Sequence, residues 1–176
     1  MFLVAGDGVA SYHPGGMGQA LRFVYLLSLV VWVGAIIFFS FVGAPSTFQA
    51  VPVDMAGRVV TKVFPRYYLL GHIAGVVALA CGLAMASLAG DWSFRRILPS
   101  VLVACMLAIG FYADRGVRTR MDGIRAAMGS SEQAGPAKPE LKAQFDRLHK
   151  LSVQLNAINL IAGLAVLFLT ARDLRL

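Results

Sequence analysis

Apolar and polar positions alternate along this chain in long blocks. Four blocks, at about residues 23–44, 67–90, 97–113 and 149–171, are almost wholly apolar, and Lys150 is the one charged side chain within them. Each block is near the roughly 20 residues that a helix needs to cross the hydrocarbon core of a bilayer. The pattern predicts an all-α integral membrane protein, an antiparallel four-helix bundle that forms a single domain over residues 1–176.

The fourth block carries a polar stripe. At 100° per residue, steps of three and four residues place six positions on one helix face, and these are Phe145, His149, Ser152, Asn156, Asn159 and Gly163. Since an unsatisfied polar group in hydrocarbon costs several kcal/mol, this face must meet protein, bound water or a ligand. We expect it to point into the bundle, toward the faces that carry His72 in the second span and Trp32 in the first.

The segment between the first two spans predicts a separate element. Pro45 lacks the backbone N–H that a continuing helix needs, so the first helix is expected to end there. Pro52 and Asp54 are typical of a turn and a helix cap, and apolar residues are then interleaved with Arg58 and Lys62. This pattern fits a short amphipathic helix lying flat at the membrane interface. It fits equally an extension of the second helix packed on the bundle.

Composition and charge agree with a membrane protein. Hydrophobic residues make up 58% of the chain and charged residues 14%, against about 25% charged residues in soluble domains. The formal net charge of +7 comes from loops, since 11 of the 16 basic residues follow the first or the third span. Such loop charges do not form a nucleic-acid-binding face, and no nucleic-acid partner is expected. By the positive-inside rule, both termini are expected outside the cytoplasm of a bacterial inner membrane.

Two histidines are the main candidates for a functional site. His72 lies inside the second span and His149 opens the fourth, and both spans run in the same direction. Because neutral imidazole binds haem iron, copper and zinc, we expect His72 and His149 to hold a haem or a metal ion between the second and fourth helices. Hydrogen bonds that would orient the two imidazoles are available from Tyr68, Ser152 and Asn156.

Other features count against such a site. Similar short runs, 64–68 and 145–149, open the second and fourth spans. Aligning the two runs places His149 level with Tyr68, so His72 lies four residues, or about 6 Å, deeper in the membrane than His149. Structural metal sites usually need four ligands. Soft donors for Cu(I) are present but show no spacing motif with the histidines, and these are Cys81, Met85, Cys105 and Met106. His13 lies in the N-terminal tail, away from the spans.

The alternative is a structural role. His72 would then hydrogen-bond Ser28, Asn156 or a backbone carbonyl, and His149 would lie at the interface. The sequence has no phosphate-binding loop, nucleophile elbow or zinc-binding cysteine pair, so no catalytic residue is assigned, and the pattern favours a protein that is not an enzyme without excluding one. Beside the lipid bilayer, the partners would be other membrane subunits or a second copy of this chain, as for an accessory subunit of a larger complex. A haem-dependent membrane oxidoreductase is the third hypothesis.

Several of these residues also resemble a known family. The similarity rests on motifs in the first and fourth spans, namely Trp32-Val33-Gly34, Phe38-Phe39, Val42, Ala44-Pro45, Phe48, Phe145-x-x-Leu148-His149 and Asn156. In these motifs and their order, the chain resembles the transmembrane-protein-205-like family, whose bacterial members are catalogued as a domain of unknown function. That family is similar to a broader group of four-helix membrane proteins that includes CopD-like copper-resistance proteins and HemJ-type protoporphyrinogen oxidases. The resemblance implies the fold and suggests haem or copper as ligands, but it implies no activity.

Overall fold

The computed structural model describes residues 16–132 and 139–173, and nearly all of them are helical. The α-helices within these ranges are α1 (Gly16–Phe38), α2 (Ala44–Ala50), α3 (Val53–Ala89), α4 (Phe94–Phe111), α5 (Thr119–Glu132) and α6 (Pro139–Asp173). Two π-helical turns, Phe39–Gly43 and Tyr112–Arg118, join α1 to α2 and α4 to α5 without a break. His13 lies outside the described residues.

Four long helical units result, and each is long and apolar enough to cross a membrane. In the described ranges they cover residues 16–50, 53–89, 94–128 and 139–172. Units of 34 to 37 residues are on the order of 50 Å long at 1.5 Å per residue, against about 30 Å for a hydrocarbon core. The helices therefore extend beyond the membrane. The predicted all-α four-helix architecture is confirmed, and the chain is a multi-pass membrane protein.

The spanning helices form a ring. α1 packs on α3, α3 on α4 and α4 on α6, and α6 returns to α1. α3 and α6 consequently lie diagonally across the bundle, and their side chains meet near its axis. The core between the four helices is apolar and includes Leu29, Ile36, Val103, Met106 and Val166, each at most 1% exposed.

Glycines bring α1 and α3 close together. The side chain of Trp32, which is 4% exposed, lies over Gly71 and Gly75 of α3. A Cβ atom at Gly75 would come within 2.6 Å of both the Trp32 ring and Leu107, and a Cβ atom at Gly71 would come within 2.8 Å of the indole Nε1. No side chain fits at either position unless its neighbours move. The inward direction predicted for Trp32 is confirmed.

Pro45 does not end the first helix, contrary to the prediction. The π-helical turn Phe39–Gly43 precedes it, and Pro45 falls in the first turn of α2, so the helical path continues to Ala50. Proline is tolerated in the first turn of a helix, because the missing N–H is one that the helix leaves unpaired. The π-helical hydrogen-bond pattern ends at Gly43 and the α-helical pattern begins again with α2, so Pro45 lies in the first turn of a new α-helical segment.

The segment before the second span is an extension of α3, so the predicted interfacial helix is wrong and the second alternative is correct. α3 runs from Val53 to Ala89 with Pro65 inside it, and Asp54 lies in its first turn, paired with Arg58 rather than capping the helix. The extension is held by tertiary packing, since its buried residues are Ala56, Gly57 and Val60.

α5 and α6 complete this end of the bundle, which we call the α5 end. The Arg118 Nε donates a hydrogen bond to Asp114 at 2.6 Å, and the two side chains are only 22% and 10% exposed. Arg125 of α5 donates to Thr61 of α3. Its guanidinium also lies over the Phe145 ring of α6, 5.1 Å from the centroid. The two Arg125 contacts tie the extensions of α3, α5 and α6 together.

Candidate functional site

A small cavity lies at the axis of the bundle, between α1, α3, α4 and α6. Its volume is about 20 Å³, close to what a single water molecule needs. Its polar lining comes mainly from α3 and α6, with a glycine of α4 opposite, and includes Tyr67, Tyr68, His72, Asn156, Asn159 and Gly110. We call it the polar chamber.

His72 borders the polar chamber with an unpaired ring nitrogen. Its ring stacks on Phe111 of α4, with the centroids 4.0 Å apart and the planes at 7°, and Tyr68 lies beside it with a centroid distance of 6.3 Å. The Nε2 atom is buried and has no hydrogen-bond partner among the described residues. The predicted bond from Ser28 is not formed, because the Ser28 hydroxyl donates to the Val24 carbonyl at 2.8 Å.

Asn159 supplies a second unpaired group to the same cavity. Its Nδ2 donates to the Met106 carbonyl at 3.3 Å, whereas its buried Oδ1 has no partner in the part of the chain that the structure describes. Both side chains approach α4 at Gly110. A Cβ atom there would lie 3.6 Å from the His72 Nε2 and 3.9 Å from the Asn159 Nδ2. The missing side chain of Gly110 thus leaves room beside the two groups.

The remaining predicted polar residues connect α3 and α6. The Tyr67 hydroxyl donates to the Asn156 Oδ1 at 2.7 Å, and the Asn156 Nδ2 donates to the Ser40 hydroxyl at 2.7 Å. The Asn156 amide therefore bridges α3, α6 and the π-helical turn after α1. Beside it, the side chains of Tyr68 and Ser152 share a hydrogen bond. Tyr68 thus bonds to Ser152, and Asn156 bonds to Tyr67 and Ser40. None of these bonds orients the imidazole of His72 or His149.

His149 lies apart from the polar chamber. It is exposed, and its ring is parallel to that of Phe145 with a centroid distance of 6.3 Å. Tyr68 and Ser152 mark the same level on two parallel helices. His72 is four residues beyond Tyr68, while His149 is three residues before Ser152, which separates the two histidines by about 10 Å along the axis. A metal ion holds imidazole nitrogens about 2 Å away, so this arrangement does not bring the two rings to one ion.

The soft donors are likewise dispersed. Cys81 is buried in the core, Cys105 is exposed, and both thiols are free. Met106 is fully buried in the core between the helices. Within the described residues, no group of three or more His, Cys, Asp or Glu side chains could hold a metal ion.

Comparison with known families gives one match. Residues 27–130 fit the family model described as a domain of unknown function, DUF4149. The chain belongs to the DUF4149 family. The match covers more than half of the chain and includes α3 with His72 and α4 with Gly110, whereas α6 lies beyond it. No curated protein and no solved structure matches the chain.

The dimensions of the polar chamber decide which groups this DUF4149 protein can hold there. A haem is far larger than a cavity of about 20 Å³, so a haem does not fit the site. The chamber offers one imidazole nitrogen, amide oxygens and phenol hydroxyls. That set lacks the thiolate, thioether and carboxylate groups that complete most copper and zinc sites. The chamber can instead accept one small molecule that hydrogen-bonds to the His72 Nε2 and the Asn159 Oδ1.

Sequence reasoning found one wall of the polar chamber and missed the other. It selected His72, Tyr68, Asn156 and the stripe that contains Asn159, but it assigned no role to Gly110 or Phe111 of α4. Gly110 had no local signal, since glycine is common in membrane helices. Its importance follows only from what lies opposite it.

Proposed function

We propose that this DUF4149 protein is a membrane-embedded binding site for one small, hydrogen-bonding molecule of about the size of water, centred on His72. The observation that carries the proposal is a pair of buried polar atoms, the His72 Nε2 and the Asn159 Oδ1, both without partners beside the same cavity. Burying such atoms unpaired costs about 1–3 kcal/mol each. A ligand that donates to Oδ1 and complements Nε2 removes this cost. Polar groups of this kind inside membrane helices commonly belong to functional sites.

The resemblance to transmembrane-protein-205-like, CopD-like and HemJ-type proteins suggests a different ligand, haem or copper, held by His72 and His149. The size of the chamber, the separation of the two histidines and the donor set all favour the small ligand. The haem-dependent oxidoreductase hypothesis is disfavoured for the same reasons. A role in metal handling by this chain would need ligands other than those of the polar chamber.

Gly110→Ala tests the small-ligand site. The added methyl group would make ordinary van der Waals contacts with His72 and Asn159, at 3.6 and 3.9 Å, so it fills the chamber without forcing the helices apart. In lipid bilayers, solid-state NMR can detect magnetisation passing from water to the labelled His72 ring. We expect this transfer in the wild type and its loss in Gly110→Ala. The matched control is Gly34→Ala, where a Cβ atom meets nothing within 4 Å. Equal transfer in all three proteins would disprove the proposal.

An absorption spectrum tests the competing ligand. The protein purified in mild detergent, oxidised and then reduced with dithionite, is expected to lack a Soret band, and elemental analysis is expected to find no stoichiometric metal. A Soret band that is lost in His72→Ala or His149→Ala would instead support haem binding and contradict the proposal.

An accessory subunit of a larger membrane complex is the second candidate. It is favoured by the α5 end, where α3, α5 and α6 extend past the hydrocarbon core and Arg125 of α5 contacts both of the other helices. A rigid charged extension of this kind suits the docking of another subunit or a second copy of the chain. Co-purification from native membranes followed by cross-linking would test it, with a monomer free of stoichiometric partners as the contradicting result.

The proposed location is the bacterial inner membrane, with both ends of the chain outside the cytoplasm. The support is the distribution of charge, since 11 of 16 basic residues follow the first or the third span in the sequence, and basic segments between spans remain in the cytoplasm. Reporter fusions after residue 132 and at the C-terminus test this orientation. We expect a cytoplasmic signal from the first fusion and a periplasmic signal from the second.

A further inference from the structure

A second and larger cavity lies at the opposite end of the bundle, where α1 begins and α6 ends. Its volume is about 160 Å³, several times that of the polar chamber. The four spanning helices all contribute to it, through Tyr25 of α1, Gly82 and Met85 of α3, Ser100 of α4 and Thr170 of α6. Two arginines, Arg22 and Arg96, complete the lining. We call it the arginine cavity.

The two arginines give the cavity a positive charge. Arg22 is exposed, and no acidic side chain pairs with it in the part of the chain that the structure describes. Arg96 pairs with Asp91, with a distance of 3.0 Å between Nε and Oδ2. The Ser93 backbone N–H, together with Arg96, holds the pKa of Asp91 below its usual range, so Asp91 is charged at neutral pH. Two positive charges and one negative charge leave a net charge of +1.

Buried hydroxyl groups form the inner wall of the cavity. Tyr25 and Ser100 are 4% and 5% exposed. The Thr170 hydroxyl donates to the Val166 carbonyl at 2.8 Å, so the Tyr25 hydroxyl is the donor in its long, 3.5 Å contact with Thr170. No hydrogen-bond partner for the Ser100 hydroxyl is found in residues 16–132 and 139–173. Both hydroxyl groups can therefore donate to a ligand in the cavity at little cost.

We propose that the arginine cavity binds a phosphate group, and specifically that of an anionic phospholipid. Arginine guanidinium groups recognise phosphate through paired charge-assisted hydrogen bonds, and hydroxyl donors on the inner wall can bind the remaining oxygens. The walls between them are apolar, with Met85 and Pro99 beside the polar groups. Such a surface suits the glycerol and the first methylene groups of a lipid.

The position of the cavity along the bundle supports a lipid as the source of the phosphate. Trp92, in the turn between α3 and α4, and Phe94, the first residue of α4, lie at the same end and are 56% and 77% exposed. Exposed aromatic residues of this kind are typical of the membrane–water interface. Arg96 and the aromatic pair therefore lie at headgroup depth, where phospholipid phosphates are concentrated.

Native mass spectrometry of the full-length protein in neutral detergent tests the proposal. Phosphatidylglycerol and phosphatidylcholine are titrated in parallel, and inorganic phosphate is titrated in a separate calorimetric experiment. We expect one phosphatidylglycerol to bind at least tenfold more tightly than phosphatidylcholine. Arg22→Gln is expected to weaken this binding about tenfold, as the loss of one charge-assisted hydrogen bond predicts. Asp91→Asn is expected to strengthen it, since it releases Arg96 for the phosphate.

Matched controls separate this site from general attraction to arginine. Arg58→Gln removes an arginine that is exposed like Arg22 but lies at the α5 end, where it pairs with Asp54 at 3.0 Å as Arg96 does with Asp91, and it should leave lipid affinity unchanged. Tyr25→Phe and Ser100→Ala remove one hydroxyl group each and should weaken binding severalfold. Helical content measured by circular dichroism checks that each variant is folded.

The outcomes are distinct. Loss of lipid affinity in Arg22→Gln but not in Arg58→Gln supports the proposal. Comparable affinity for inorganic phosphate, with the same dependence on Arg22, would keep the phosphate site but assign it to a soluble anion rather than a lipid. Equal binding of the two lipids, or equal effects of the two arginine variants, would overturn the proposal. None of these results depends on the ligand of the polar chamber.

Discussion

The ring of His72 lies flat on the ring of Phe111, with the centroids 4.0 Å apart and the planes at 7°. The stack fixes the imidazole against α4 and leaves its Nε2 at the edge of the polar chamber, buried and without a partner in the described residues. The face and the edge of the His72 ring therefore have different roles. The ring face contributes to packing, and the ring edge supplies a polar group for a ligand.

His72→Phe and His72→Ala should separate these two contributions. Phenylalanine keeps the stack and removes the unpaired nitrogen, so we expect the free energy of unfolding to change by less than about 1 kcal/mol. Alanine loses the stack and leaves a gap, and it should destabilise the protein by about 1–3 kcal/mol. Unfolding by sodium dodecyl sulfate in mixed micelles measures both values. Equal destabilisation by the two variants would mean that Nε2 has a structural partner.

Gly75→Ala should destabilise the contact between α1 and α3. The new Cβ atom would lie 2.6 Å from both the Trp32 ring and Leu107, and both neighbours are buried. Overpacking of this kind costs about 1–3 kcal/mol, which should lower the melting temperature by several degrees. Gly34→Ala is the control, because a Cβ atom there meets nothing within 4 Å. A stable Gly75→Ala protein would show that the two helices can move apart freely.

Asn156→Leu should break the bridge between three helical segments. It removes the bonds to Tyr67 and Ser40, both at 2.7 Å. Hydrogen bonds across membrane helices contribute about 0.6 kcal/mol on average and up to about 1.7, so we expect a loss of about 1–2 kcal/mol. A double-mutant cycle with Tyr67→Phe isolates the first bond. A coupling free energy of zero between the two substitutions would contradict the prediction.

Two Asp–Arg pairs with the same four-residue spacing should differ in their contribution to stability. Asp114 and Arg118 are 10% and 22% exposed, whereas Asp54 and Arg58 are 64% and 77% exposed. Asp114→Asn leaves the Arg118 charge without its nearest partner in a partly buried place, and we expect a loss of about 1–3 kcal/mol. Asp54→Asn should change stability by less than about 0.5 kcal/mol, because solvent and salt screen exposed pairs. Unfolding experiments at low and high salt measure both effects. A larger effect at Asp54 would contradict the argument from burial.

Local pattern was enough to find the membrane helices and one wall of the polar chamber. The polar stripe on α6 was predicted to face the inside of the bundle. Asn159 and Gly163 are buried as predicted, whereas His149 is exposed. The stripe starts beyond the bundle, where Phe145 meets Arg125 of α5. Helical periodicity gives the direction of a side chain but not what stands opposite it.

The axial level of one helix against another was the main point that the sequence did not predict. The similar runs at 64–68 and 145–149 aligned His149 with Tyr68, whereas Ser152 is the residue that bonds to Tyr68. The offset of three residues separates His72 from His149 by about 10 Å instead of about 6 Å. It explains why the two histidines do not meet.

The sequence by itself determined that this protein crosses a membrane with four helices and that His72, Asn156 and Asn159 point inward, because hydropathy and helical periodicity are properties of each segment alone. Only the tertiary structure decided which groups meet. The levels of the helices depend on close contacts such as Trp32 on Gly75 and Val33 on Gly163, which involve residues far apart in the chain. The polar chamber and the arginine cavity are products of that packing. Each is bounded by four helices, and the sequence of one helix does not show which residues of the other three lie opposite it.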